Sequence, residues 1–190
     1  MTTETKTVSV KTNGVDVDAL FATIDQIKEQ PNLANFRFQQ TNRWLGAGVN
    51  RSTIQNFYGA GAEQPRPKAF VLDADEPPLL LGTDTAANPV EYLLHALTAC
   101  TTSSIVFHAA ARGIRIDEIE SRTEGDIDVR GFLGIDDNVH NGFQNIRMTF
   151  KIKADVPDEK LEELCRLGPT YSPVFDTLTR AVNVEVGLEK

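Results

Sequence analysis

Cysteine is scarce in this 190-residue chain: Cys100 and Cys165 are its only two, too few for a disulfide framework. Neither lies in the closely spaced Cys or His pairs that hold zinc, and His95 and His108, 13 positions apart, would face about 220° apart on one helix. No metal and no cofactor are expected. No long run of Lys or Arg offsets the formal net charge of -8, which disfavours nucleic acid and anionic membrane surfaces as partners. The turn Asp84-Thr85-Ala86-Ala87-Asn88-Pro89 is not a glycine-rich phosphate cradle, which argues against nucleotide binding. The polar start Met1-Thr2-Thr3-Glu4-Thr5-Lys6 lacks the basic-then-apolar leader of a secretory signal, and no later stretch reads as a membrane-spanning run, so a cytoplasmic location is expected. Internal repeats and low-complexity segments are also absent.

What is present is enough apolar side chain, 41%, to fill the core of one domain. Val17, Leu20, Phe21, Ile24 and Ile27 trace one face of a helix over residues 15–29, stopped by Gln30-Pro31, and that stripe requires burial against the main domain or a second subunit. Short alternating runs at Phe36–Gln39 and Thr53–Phe57, separated by Gly46-Ala47-Gly48, predict a hairpin or meander, with a further strand at Lys68–Leu72 and a loop over Asp73–Pro78. Asn88-Pro89-Val90-Glu91 combines an N-cap acceptor, a proline at the first helical position and a carboxylate at N3. The helix it starts runs to Arg112, with Gly113 as its left-handed cap, and is apolar or small on most faces, hence buried on more than one side. Alternating stretches at Ile114–Glu120, Gly125–Arg130 and Ile146–Ile152 predict long strands with one solvated side. Two short helices follow, Pro157–Leu167 closed by Gly168-Pro169 and Ser172–Arg180, then a last strand at Val182–Val186. This order lacks βαβ alternation, so the expected class is α+β with antiparallel sheet.

Cys100 sits mid-helix on one face with Leu93, Leu97 and Ser104, flanked by small residues that let another helix approach. A lone helical cysteine is ordinarily a small core hydrophobe. To react at neutral pH its thiol, of reference pKa roughly 8.5, needs a cation, because the helix dipole is felt mainly in the terminal turns. Arg43 and Arg51 are the upstream candidates, although a strand arginine is commonly just solvated. Glu91, about 180° around the helix and about 13 Å along it from Cys100, cannot meet the thiol within one helix and serves at least as a cap.

The run Gly82-Thr83-Asp84-Thr85-Ala86-Ala87-Asn88-Pro89-Val90-Glu91-Tyr92-Leu93-Leu94-His95-Ala96-Leu97-Thr98-Ala99-Cys100 resembles the central-helix signature of the OsmC/Ohr family, as do Asn42-Arg43-Trp44 and Phe57-Tyr58-Gly59-Ala60-Gly61 upstream. The resemblance covers residues 36–190, leaving 1–35 as an N-terminal extension with its amphipathic helix. It implies an intertwined homodimer in which sheets from both chains wrap long central helices, and thiol-dependent reduction of organic hydroperoxides or hydrogen peroxide with an external thiol reductant. Cys100 is then the peroxidatic residue, with Arg51, Arg43 and Glu91 as its supporting groups. Two departures stand out. Tyr171-Ser172-Pro173-Val174 replaces the family's Cys-Pro-Val motif, so Ser172 holds the place of the resolving thiol; and Val90 follows Asn-Pro where the organic hydroperoxide branch has glutamate. Cys165, seven residues before Ser172, is either a relocated resolving thiol or an inert core residue. The alternative to the enzyme is a non-catalytic member that binds a small hydrophobic ligand at the dimer interface.

Overall fold

Asn13-Gly14 is the first turn in the computed structural model, which describes residues 11–189; the first ten residues of the expected N-terminal extension lie outside them. Asn13 and Gly14 have φ of 54° and 79°, and join the two-residue strands β1 (Lys11–Thr12) and β2 (Val15–Asp16). The chain divides into two compact units, one built on Asp16–Leu93 and one on Leu94–Lys190 together with Lys11–Val15. The Asn13 amide ties the N-terminal segment into the second unit: its Nδ2 donates to the Ile114 carbonyl at 2.9 Å and its Oδ1 accepts from the Ile116 amide at 2.8 Å.

In the first unit, the helix expected over residues 15–29 is α1 (Val17–Glu29), which starts two residues later than its apolar spacing predicts, at an Asp16 N-cap that accepts from the Ala19 amide. None of its residues is buried, and Phe21 and Ile24 are exposed. After a 3₁₀ turn at Pro31–Ala34 come β3 (Thr41–Gly46), β4 (Val49–Ile54), β5 (Phe57–Gly59), β6 (Ala62–Gln64) and β7 (Phe70–Ala74). They form an antiparallel sheet in the order β3-β4-β7 and a separate β5-β6 hairpin. The strand expected at Phe36–Gln39 is reduced to a single bridge between Arg37 and Tyr58. Phe36 and Phe38 stack instead on Phe57, with centroids 6.3 and 5.5 Å away, so packing rather than a ladder fixes that segment.

Helix α2 (Pro89–Ala111) ends as expected: the Gly113 amide (φ 68°) donates to Ala110 and the Ile114 amide to Ala109, the paired bonds of a Schellman cap. Contrary to the expectation that no segment reaches membrane length, α2 is long and apolar enough to span one. Its buried Ile105 and Ala109 nevertheless pack with Leu164 as the core of the second unit, which explains that composition without a membrane. β8 (Ile116–Ile127) and β9 (Phe143–Ala154) make a long antiparallel pair. Ile116, Ile119, Phe150 and Ile152 pack on the core, and Arg147 bridges Glu124 and Asp126 on the solvated face.

Four expectations in this unit are corrected. The two predicted stretches after Gly113 merge into one strand, and Val129–Phe132 turns into a short helix α3 capped by the Asp128 carboxylate. Helix α4 (Asp158–Tyr171) runs through Gly168-Pro169 instead of stopping there. The reason is close packing: a Cβ on Gly168 would lie 2.8 Å from both Thr101 Cγ2 and Ile105 Cγ1 of α2, so only glycine lets the two helices meet. Helix α5 (Pro173–Thr179) forms as predicted, but Val182–Val186 is not a strand; Val182, Val184, Val186 and Leu188 are exposed in irregular chain.

Candidate active site

The turn that launches α2 is held by three carboxylates, those of Glu91, Asp75 and Glu76, the last accepting from Asn88 Nδ2. Asn88 Oδ1 accepts from the Val90 amide at 2.8 Å and Glu91 Oε2 from the Asn88 amide at 2.9 Å, a reciprocal capping box. Asp75, fully buried, accepts from the amides of Glu76, Thr83 and Thr85 and from the hydroxyls of Thr83 and Thr85 at 2.6–3.1 Å. The Thr83 hydroxyl first, then the Thr85 amide, hold its carboxyl far below the ordinary range despite burial. Asp75 was not legible as a site residue, because an aspartate in an acid- and proline-rich loop reads as solvated; the Thr83 and Thr85 that enclose it are eight and ten residues away.

Across the first unit's sheet, Arg43, Arg51 and Asp73 stand opposite one another in register on β3, β4 and β7. Asp73 grips Arg51 through Nε–Oδ1 at 2.6 Å and Nη2–Oδ2 at 2.8 Å, which raises the guanidinium pKa and lowers that of the carboxylate. Arg43 is exposed and has no hydrogen bond or ion pair among the described residues. The sheet therefore groups the two predicted arginines and adds a partner, Asp73, that sequence reasoning had placed in a loop. Glu91 serves the helix cap.

Cys100 lies in the second unit, half-buried on α2, while its helical neighbours Leu97 and Thr101 are buried. Its carbonyl accepts from Ser104 Oγ at 3.0 Å, and its thiol has no hydrogen-bond partner among the described residues. Around it the helix is polar in an unusual way. Thr98 Oγ1 lies 2.6 Å from Thr123 Oγ1 of β8, and the fully buried Thr101 hydroxyl has no partner among the described residues. Ser172, also buried, caps α5 by accepting from the Phe175 amide at 3.2 Å, and Cys165 is half-buried on α4. No group of three or more metal-ligating side chains occurs among the described residues.

A family model described as OsmC-like protein matches residues 82–187, more than half the chain, from the turn before α2 through α5. The chain belongs to the OsmC-like family. Solved members share its α+β fold at low identity. An OsmC-like protein from Mycoplasma pneumoniae is 17% identical, with a TM-score of 0.57 over 76% of this chain and 89% of that one. An organic hydroperoxide resistance protein OsmC from Legionella pneumophila is 16% identical, with a TM-score of 0.51 over 74% and 88%. An OsmC-like protein from Vibrio cholerae is 9% identical, with a TM-score of 0.52 over 74% and 92%. No curated protein sequence matches the chain. At these identities the solved members speak for the OsmC-like fold.

Proposed function

We propose that this OsmC-like protein is a cytoplasmic thiol peroxidase, active as an intertwined homodimer, that reduces organic hydroperoxides or hydrogen peroxide through Cys100. The observation that carries the reading is the state of Cys100 on the family-matched helix: it is only half-buried, is flanked by small residues, and has a thiol with no hydrogen-bond partner among the described residues, where an inert core cysteine would be enclosed. Peroxide reduction by this residue balances as follows. The thiolate sulfur attacks one peroxide oxygen, the O–O bond breaks, and the other oxygen leaves as alcohol or water after taking a proton. Cys100 becomes a sulfenic acid, and an external thiol displaces hydroxide, released as water, to give a mixed disulfide. A second thiol then frees Cys100 as the external disulfide forms. In this reading Arg43 and Arg51 stabilise the thiolate, with Asp73 orienting Arg51. Glu91 acts by fixing the start of α2, Cys165 is the candidate internal resolving thiol, and residues 1–35 are an extension to the domain at 36–190.

Incomplete burial supports the dimer. Among the described residues only Leu97, Ile105, Ala109, Ala110 and Leu164 are fully buried hydrophobics, while Phe21, Trp44, Phe70 and the valines after α5 are exposed. The test is steady-state turnover of cumene hydroperoxide coupled to a dithiol, together with sedimentation at micromolar concentration. Wild type and Cys165→Ser turning over while Cys100→Ser is inactive supports the reading. Turnover that survives Cys100→Ser, or a protein that sediments as a monomer, refutes it.

A further inference from the structure

The inner face of β9 is covered at one end and bare at the other. Phe150 and Ile152 pack on the Ile105–Ala109–Leu164 core, but Ile146 and Met148, next along the same face, line a cleft of about 450 Å³. Cys165 of α4 and Phe175 and Leu178 of α5 form its walls, so every part of the cleft lies within the second unit. Its volume is that of a small-molecule site. Charge defines the occupant further. The Cys165 thiol is the sole ionisable side chain in the lining, and the polar members, Gln144, Asn145 and Thr179, are neutral and exposed. A carboxylate or ammonium entering the cleft would lose hydration with no counter-charge to meet it. An aliphatic chain ending in a neutral hydroxyl or carbonyl meets apolar walls and, at the exposed positions, amide donors and acceptors.

We propose that this cleft is a binding site for a neutral, elongated hydrophobic molecule with one hydrogen-bonding end, and that the Cys165 thiol lies along the bound chain. The site does not rest on peroxide chemistry at Cys100. Were peroxidase activity absent, the cleft and its ligand preference would be unchanged.

Alkylation of Cys165 reports occupancy directly. The full-length reduced protein is treated with N-ethylmaleimide and the modified peptides are quantified by mass spectrometry, alone and with n-decanol or with decanoate, which differ in the charge of the head. The expected result is that n-decanol slows labelling of Cys165 about tenfold or more, whereas decanoate at the same concentration slows it less than about twofold. In Leu178→Asp, a change at an exposed position that carries charge to the wall, protection by n-decanol should disappear while the thermal midpoint is retained. Equal protection by the two compounds, or none by n-decanol, overturns the proposal on the wild-type protein alone. So does a Cys165 that resists labelling at high protein concentration and becomes reactive on dilution, because a segment of a second copy would then be the occupant.

Discussion

Thr101 offers the sharpest test of how the helix around Cys100 is built. Its side chain is fully buried, its Cγ2 fills the space beside Gly168 of α4, and its hydroxyl has no partner among the described residues. Thr101→Val keeps the shape and the β-branch and deletes only the polar atom. An unsatisfied buried hydroxyl carries a desolvation penalty of about 1–3 kcal/mol. Allowing for valine's imperfect fit, the substitution should stabilise the protein by about 1 kcal/mol. At a urea slope of about 2 kcal/mol/M, the midpoint rises by about 0.5 M with the slope unchanged. Thr101→Ser is the counterpart: it keeps the hydroxyl and removes the methyl that contacts α4, and should lower stability by about 1 kcal/mol. Equilibrium unfolding at one fixed protein concentration measures both. If valine destabilises as much as serine does, the hydroxyl has a partner in the assembled protein and the description of this helix face as unsatisfied is wrong.

Gly168→Ala places a methyl 2.8 Å from two α2 side-chain carbons, and should cost about 1–3 kcal/mol in the same urea experiment; a change below about 0.5 kcal/mol would show that α4 is not tightly seated. Asp75 has its carboxyl pKa lowered by folding, so its stabilisation is present above the ordinary value of 3.8 and is lost as pH falls below it. Wild type should therefore lose stability below about pH 4 more steeply than Asp75→Asn, which is weaker at neutral pH and flatter in acid; parallel acid profiles would contradict the cage. If Ser172 stands where the family's resolving thiol does, Ser172→Cys treated with equimolar peroxide should form a disulfide between Cys100 and the introduced thiol, detected as a loss of two hydrogens and a cross-linked peptide. Persistent sulfenic acid in that variant would separate the two positions.

Legibility followed how local each signal was. The start and end of α2 were readable because Asn88, Pro89, Glu91 and Gly113 act on backbone groups within four residues of themselves. The class of the fold followed from the order of elements. Helix α4 was misjudged because Gly168-Pro169 reads locally as a stop, whereas contact with Thr101 and Ile105 across the unit keeps the helix going. β3 was missed because Thr41, Asn42 and Arg43 are exposed polar residues whose strand state is set by register with β4. The Val182–Val186 pattern is strand-like, but a strand exists only with a neighbouring edge, and alternation does not say where that edge is. For the candidate site, Cys100 and Glu91 were visible in the Gly82–Cys100 run, and Arg43 and Arg51 as the upstream cations. Asp73 and Asp75 were not, because their partners come from across a sheet or from eight or more residues along a loop.

The most direct test of the central claim is the rate at which Cys100 itself is oxidised. Reduced protein is mixed with stoichiometric cumene hydroperoxide in the presence of a sulfenic-acid trap, and intact mass is followed in wild type, Cys100→Ser and Cys165→Ser. The account predicts trapped oxidation at Cys100 that outpaces free cysteine, is abolished in Cys100→Ser and persists in Cys165→Ser. Oxidation of Cys100 no faster than that of free cysteine would contradict it and leave the protein OsmC-like in fold only.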